Sequence, residues 1–309
     1  MYHCPITYLS IKEKGYSPQG LKLLHKNLKS LKPLPFDRQS LLQEAVFRSD
    51  KMSVQGVQPK LSAILSLKDS SFIIVDQGGD FILKPPNVFP ELPENEAITM
   101  RLASITGIKV PICGLLYAQD NTLVYFIKRF DRLPNRKRVA VEDFAQLMGK
   151  SRETKYDASV EQIISVIDRY CTFPAIEKAE FFKRFIFNYL IGNEDMHIKN
   201  YSLIENQEKY ELAPAYDFVN SSIALGGKTE ESALTLKGKK SNLTYNVLFD
   251  YLGKERLNLN KSTIDELKNL FKIVIPKWGE LIEISFLSAH MKTQYINLLS
   301  QRARLLSLI

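Results

Sequence analysis

From residue 61 to residue 128 the chain is written in short β-forming runs, and from residue 141 onward its apolar residues recur at helical spacing. This change constrains the fold more than any other feature, because stretches of period 2 and period 3.6 cannot share one regular layer. The runs LSAILSL (61–67), FIIV (72–75), FILK (81–84), VPICGLLY (110–117) and LVYFIK (123–128) are separated by turn-forming residues, notably Lys68-Asp69-Ser70-Ser71 and Asp76-Gln77-Gly78-Gly79-Asp80. One helix is expected among them, over residues 93–106, with Gly107 as its stop. The first fifty residues carry an expected helix over 21–29 and a break at Pro33 and Pro35. Beyond residue 140, helices are expected over 141–148, 159–170, 176–191, 261–273, 277–286 and 291–306, with a long polar loop over 220–244. The expectation is an α+β chain: a smaller β-rich N-lobe, residues 1–130, and a larger all-helical C-lobe, residues 131–309, joined near 128–132. A hinged pair of lobes is a common way to enclose a nucleotide.

Composition matters mainly for what it excludes. With 309 residues, 45% hydrophobic and 25% charged, the chain is neither disordered, collagen-like nor a coiled coil. No run approaches the ~18 apolar residues of a membrane span. The N-terminus has no basic region leading into an apolar core, so no secretory signal and no membrane association are expected. Three well-separated cysteines suit reduced thiols and a cytoplasmic location, and no two of the four histidines have zinc-site spacing. The net charge of +8 asks for an anionic partner without naming one. Its densest basic cluster, residues 132–138, is expected to be an exposed loop.

Four segments carry chemistry. Gly192-Asn193-Glu194-Asp195-Met196-His197-Ile198-Lys199-Asn200 follows a long apolar helix and precedes an apolar run. Its Asp195 and Asn200 match the D-x-x-x-x-N loop of phosphoryl transfer. There the aspartate accepts the proton of the attacking hydroxyl and the asparagine holds a magnesium ion, a hard cation that needs oxygen ligands. Read blandly, the same loop is a polar turn between helix and strand. Asp217, in Ala215-Tyr216-Asp217-Phe218-Val219, stands where a second metal-binding acid is needed, although Val219 replaces the glycine of the protein-kinase D-F-G. Lys84 ends a strand, and Glu96, with Glu94 as rival, opens the next helix, the arrangement that places a cation on nucleotide phosphates. Ser53-Val54-Gln55-Gly56-Val57-Gln58-Pro59-Lys60 sits where a nucleotide-covering loop belongs, yet its single glycine fails the G-x-G-x-x-G pattern. Each segment alone is weak. Their order along the chain is that of the kinase superfamily.

The segments SVQGVQPKLSAIL (53–65), FILKP (81–85), PENEA (93–97), FIKRFDR (126–132), GNEDMHIKNYSL (192–203) and PAYDF (214–218) together resemble the HipA family of bacterial serine/threonine kinases, the toxins of toxin–antitoxin systems. The resemblance covers roughly residues 50–220. It implies a two-lobed protein-kinase-like fold, ATP and Mg²⁺ as cofactors, Asp195 as catalytic base, and Asn200 and Asp217 as metal ligands. Lys84, supported by Glu96, would bind ATP phosphates. The backbone of residues 128–130, including Lys128 and Phe130, would meet adenine, and Asp131 would lie near the ribose. Gly56, Gln58, Lys60 and His197 complete the implied nucleotide-binding set. Ser53 would be an autophosphorylation site acting as an off-switch, since a phosphate adds about −1.5 to −2 charge there. Many relatives of the short subtype carry a second serine two positions later, where this chain has Gln55.

About fifty residues precede that loop, fewer than in full-length HipA toxins, so the chain is most similar to the short HipT toxins of tripartite HipBST systems. The implied partners are a small HipS-like antitoxin protein and a HipB-like DNA-binding protein, with no direct nucleic-acid contact. The implied substrate is an aminoacyl-tRNA synthetase, tryptophanyl for HipT and glutamyl for HipA, whose phosphorylation would arrest translation. Two other readings compete. A small-molecule phosphotransferase of the aminoglycoside-kinase type uses the same D-x-x-x-x-N loop, but SVQGVQPK argues against it. A non-catalytic kinase-fold subunit of a repressor complex is disfavoured by the presence of Lys84, Asp195, Asn200 and Asp217 together.

Overall fold

A computed structural model of the chain describes residues 1–48, 59–133, 137–151, 153–226 and 230–309. Ser53, Gly56 and Gln58 lie outside the described residues. The chain divides into two compact units: Met1–Ile98 with Pro111–Arg136 and Glu283–Ser288, and Thr99–Val110 with Lys137–Ile282 and Ala289–Ile309.

The first unit opens with the short antiparallel pair β1 (Tyr2–His3) and β2 (Ser10–Ile11), followed by helices α1 (Pro18–Leu24) and α2 (Arg38–Arg48). Helix α1 starts where Ser17 accepts a hydrogen bond from the Gly20 amide and Pro18 presets the first helical φ. Strands β3 (Leu61–Ser66), β4 (Ser71–Val75) and β5 (Phe81–Lys84) precede helix α3 (Leu92–Ile105), which carries the chain from the first unit into the second. Strands β6 (Cys113–Tyr117) and β7 (Leu123–Lys128) complete an antiparallel sheet ordered β4-β3-β5-β7-β6. One face of that sheet sends Leu61, Ala63, Phe72, Phe81, Leu83, Val124 and Phe126 into a core shared with Leu21, Leu24, Leu34 and Leu41. Phe72 and Phe81 meet edge to face with centroids 4.9 Å apart. Because β5 lies in the middle of the sheet, its terminal Lys84, paired in register with Tyr125 of β7, is carried into the interior.

The second unit is rich in helices but not all-helical, and here the sequence expectation is corrected. Strands β8 (Val141–Asp143), β9 (Ser202–Asn206) and β10 (Lys209–Leu212) form an antiparallel sheet in the order β10-β9-β8. The helix expected over 141–148 begins late because Asp143 caps α4 (Phe144–Leu147) in a reciprocal capping box with Gln146, which leaves the preceding residues free to pair with β9. The β9–β10 hairpin turns at Gln207 and Glu208, both at positive φ, residue types that carry no turn signal in the sequence.

Helices α5 (Val160–Tyr170) and α6 (Pro174–Ile191) lead to a 3₁₀ turn, Ile198–Asn200. Helix α7 (Ser221–Ala224) and a π-helical segment, Asn246–Arg256, follow, then α8 (Lys261–Glu283) and α9 (Ala289–Leu305). The helix break expected between 273 and 277 is absent: α8 runs through Pro276. Phe271, Val274, Ile275 and Trp278 are buried on both sides of that proline, and this packing outweighs its missing N–H. The loop expected over 220–244 contains α7, capped where the Asn220 side chain accepts from the Ile223 amide. Phe187 stacks on Phe218 and meets Trp278 edge on, which ties α6 to α8. No helix among the described residues is long and apolar enough to cross a membrane.

Candidate active site

In the first unit, Lys84 and Glu96 form an ion pair, Nζ to Oε1 at 2.6 Å, with side-chain exposures of 5% and 3%. Two charges so deeply removed from water are tolerable only as a close, hydrogen-bonded pair. The Lys84 ammonium also lies 5.6 Å from the centre of the Tyr125 ring. The choice between Glu94 and Glu96, open in the sequence, is decided by helix phase: Glu96 faces Lys84. Glu94 points elsewhere, with its Oε2 buried and without a hydrogen-bond partner among the described residues. Burial pushes the Glu94 carboxyl up to about 7, with the Glu91 charge adding to the rise.

Asp131 receives a two-pronged contact from Arg129, Nε to Oδ1 at 2.9 Å and Nη2 to Oδ2 at 2.7 Å, and a third bond from Arg132 Nη1 at 2.7 Å. Burial alone would raise its pKa, but the hydrogen bond and charge of Arg129, with the charge of Arg132, hold the carboxyl below the usual range. The Lys128 amide donates to the Ile112 carbonyl at 2.8 Å. Phe130 and Lys60 are half-buried.

In the second unit, the loop bearing Asp195 begins where α6 ends. Gly192 terminates that helix at φ 75°, a left-handed conformation that favours glycine. A Cβ there would lie 2.4 Å from Leu298 Cδ2, 2.8 Å from Ser222 Oγ and 2.9 Å from Asn220 Oδ1. A dense polar network fixes the loop from beneath. The Glu194 amide donates to Ser221 Oγ at 2.7 Å, and Glu194 Oε1 accepts from Ser222 Oγ at 2.5 Å and from Arg302 Nη2 at 3.2 Å. Arg302, a buried arginine of α9, also donates to the Tyr189 carbonyl at 2.5 Å. Asn193 donates to Asn188 Oδ1 at 2.8 Å while its own Oδ1 accepts from the Asp195 amide at 3.2 Å.

The upper side of the loop is left half-exposed. Asp195, His197, Asn200 and Asp217 are all brought into it or beside it. The His197 amide donates to the Asp195 carbonyl at 2.8 Å, and the Asn200 side chain closes back on that carbonyl, Nδ2 to O at 3.1 Å. Asp217 sits at φ 56°, an uncommon backbone state for a residue other than glycine and one that recurs at functional sites. Its charge reaches His197, whose pKa is nevertheless lowered: burial dominates over the charges of Asp195 and Asp217. Lys155 Nζ lies 2.8 Å from His197 Nε2. An ammonium can only donate, so Nε2 accepts and the ring proton resides on Nδ1. Among the described residues no three His, Cys, Asp or Glu side chains gather into a metal cage. The Asn200 amide oxygen and the Asp217 carboxylate are nonetheless the hard donors that magnesium takes, since it draws its remaining ligands from phosphate and water.

Two features had no local sequence signal. Arg302 and Glu194 are 108 residues apart and meet only through the packing of α9. Tyr156, in a polar stretch after α4, donates its phenol proton to Asp195 Oδ1, and its ring meets His197 edge on with centroids 5.2 Å apart.

The HipA-like C-terminal domain family matches residues 52–276. A protein of Haemophilus influenzae that carries the provisional name of a kinase is 33% identical over 297 residues, covering 85% of each chain. The serine/threonine-protein kinase toxin HipA of Shewanella oneidensis is 30% identical over 190 residues, 55% of this chain and 43% of that protein. The chain thus spans most of the first relative and less than half of the second. Among solved structures, Shewanella oneidensis HipA, determined with HipB and its operator DNA, matches with a TM-score of 0.71 at 22% identity, over 90% of this chain and 74% of that one. The Helicobacter pylori proinflammatory kinase CtkA matches at 0.53 and 19% identity, over 73% and 86%. Fold likeness at these identities agrees with the mixed sheet-and-helix architecture, and the sequence relatives share kinase names. The chain belongs to the HipA-like C-terminal domain family, a family of kinase-related proteins.

Proposed function

We propose that the protein is a Mg·ATP-dependent serine/threonine kinase acting as the toxin of a bacterial toxin–antitoxin system. The observation that carries this reading is the loop Gly192–Asn200, anchored from below by Glu194 and Arg302 while the Asp195 carboxylate remains half-exposed. In this reading Asp195 takes the proton of a substrate hydroxyl as its oxygen bonds to the γ-phosphorus. The bond from that phosphorus to the bridging oxygen breaks, and ADP leaves. Asn200 and Asp217 would hold the magnesium ion, which when bound neutralises phosphate charge. Lys84, oriented by Glu96, would neutralise the nucleotide's phosphates within the first unit. The backbone of residues 128–130 would accept adenine, Asp131 would approach the ribose while still held by two arginines, and His197, Lys60, Gly56 and Gln58 would complete the nucleotide contacts.

The kinship with Shewanella HipA supports the toxin role, and that protein's complex with HipB supports a DNA-binding antitoxin partner. The finer assignments rest on the motif resemblance: a HipT-type toxin acting in the cytoplasm, a small HipS-like neutralising protein, tryptophanyl-tRNA synthetase as substrate, and Ser53 as an autophosphorylated off-switch. The test is transfer of labelled phosphate from Mg·ATP to the proteins of a bacterial lysate, with wild type beside Asp195→Gln. Transfer should fall about 10³-fold in the variant while its Tm stays unchanged. Equal transfer by both proteins, or none by the wild type, ends the kinase reading. Phosphosite mapping in the same reaction should find Ser53 modified, and an unmodified Ser53 removes the off-switch.

A further inference from the structure

We propose that Tyr156 is the positioning residue of the transfer step, setting which oxygen of Asp195 meets the attacking hydroxyl; the inference rests on the kinase reading above. The torsion that turns an aspartate carboxylate about its Cβ–Cγ bond is broad and nearly two-fold, so packing alone does not decide which oxygen faces a substrate. A fixed donor decides it. Tyr156 gives its phenol proton to Oδ1, and no hydrogen bond to Oδ2 is found among the described residues. A carboxylate has about four acceptor positions. The phenol therefore fixes the group and still leaves Oδ2 for the incoming hydroxyl.

The phenol is itself held in place. Its ring lies edge on to His197, the residue two positions beyond Asp195, and the Lys155 and Lys240 ammonium groups stand 4.8 and 6.0 Å from its centre. Lys155 bonds His197 Nε2, so neighbouring residues of one loop clasp alternate residues of the other. That clasping loop is braced where the Ser151 amide donates to Thr154 Oγ1 at 3.0 Å and Lys150 donates to the Asp157 carbonyl. It then runs directly into α5, whose N-terminus Ser159 caps. Burial, with the neighbouring Asp195 carboxylate, raises the Tyr156 pKa, which keeps the phenol a donor at any physiological pH. Tyr156 remains 38% exposed and Asp195 half-exposed, so a substrate can approach without the clasp opening.

The test compares wild type, Tyr156→Phe and Tyr156→Leu in the labelled-ATP lysate assay, reading the initial rate at saturating Mg·ATP, the apparent KM for ATP and the Tm. Loss of the hydroxyl should lower the saturated rate about ten- to a hundredfold, equally in both variants, with KM and Tm unchanged. A Phe variant as fast as wild type or faster overturns the proposal. So does a Leu variant that fails while Phe does not, because the ring rather than the hydroxyl would then matter. A rise in KM in step with the loss also overturns it, by placing the effect on nucleotide binding. A wild type that transfers nothing sinks the kinase reading and this inference with it, whereas an active wild type matched by Phe sinks the inference alone.

Discussion

The two charged centres of this chain are built on opposite principles. Lys84 and Glu96 are sealed in the first unit as an ion pair at 5% and 3% exposure. Asp195 stands half-exposed on a loop of the second unit whose buried side is polar and densely hydrogen-bonded, through Glu194, Arg302, Ser221 and Ser222. A carboxylate such as Glu96, which in the proposed reading only holds Lys84, can be dry because it is ion-paired. In the proposed reading Asp195 exchanges a proton with a visiting group and needs an open face, and the scaffold fixes its neighbour Glu194 instead. The hydrogen-bonded anchor lies one residue away from Asp195.

The sealed pair gives the largest expected effect. Lys84→Met would remove the ammonium paired with the buried Glu96 carboxylate, and denaturant unfolding should show a loss of about 3–5 kcal/mol. Lys84→Met combined with Glu96→Leu should recover most of that stability, since apolar replacement of a buried pair is often neutral. A double variant as unstable as the single one would mean that the pair is not a self-contained unit. Beneath the Asp195 loop, Gly192→Ala should cost about 1–3 kcal/mol, seen as a lower Tm, because it forces alanine into left-handed backbone beside Leu298 and Ser222. An unchanged Tm would break the view that this loop is rigid from below.

The smallest effect is pH-dependent and contrasts two acids on one helix. Glu94, half-buried and with its Oε2 lacking a hydrogen-bond partner among the described residues, has its pKa raised from 4.5 to about 7. A carboxyl raised on folding contributes stability below its unfolded pKa, and that contribution is lost as pH rises through the folded value. Glu94→Gln, neutral throughout, should therefore match wild type near pH 4 and exceed it by about 1–2 kcal/mol at pH 8, measured by denaturant unfolding at both pH values. Equal stabilities at pH 8 would show that Glu94 ionises there without cost.

Much of this was legible in the sequence, and the exceptions share a cause. The five strands of the first sheet and most of the helices follow from local periodicity and turn chemistry. Strand β10 was missed because its turn, Gln207-Glu208, uses residues that rarely mark hairpins. The gap expected between 273 and 277 contains Pro276, whose local penalty is visible in the sequence, while the burial of Phe271 and Trp278 that offsets it is not. Among the proposed site residues, Asp195 and Asn200 are the ones that the D-x-x-x-x-N spacing singles out. The rival glutamates could not be separated, because helix phase is set by what the helix packs against.

The sequence by itself determined the α+β texture, the order of the motif segments and the identity of the acids and the lysine, since these depend on residue type and short spacing. Only the tertiary structure decided that Glu96 rather than Glu94 meets Lys84, that Arg302 braces Glu194 across 108 positions, and that a tyrosine from a polar loop occupies one oxygen of Asp195. Those contacts join residues distant along the chain. Their partners are selected by packing geometry, and packing leaves no trace in local residue order.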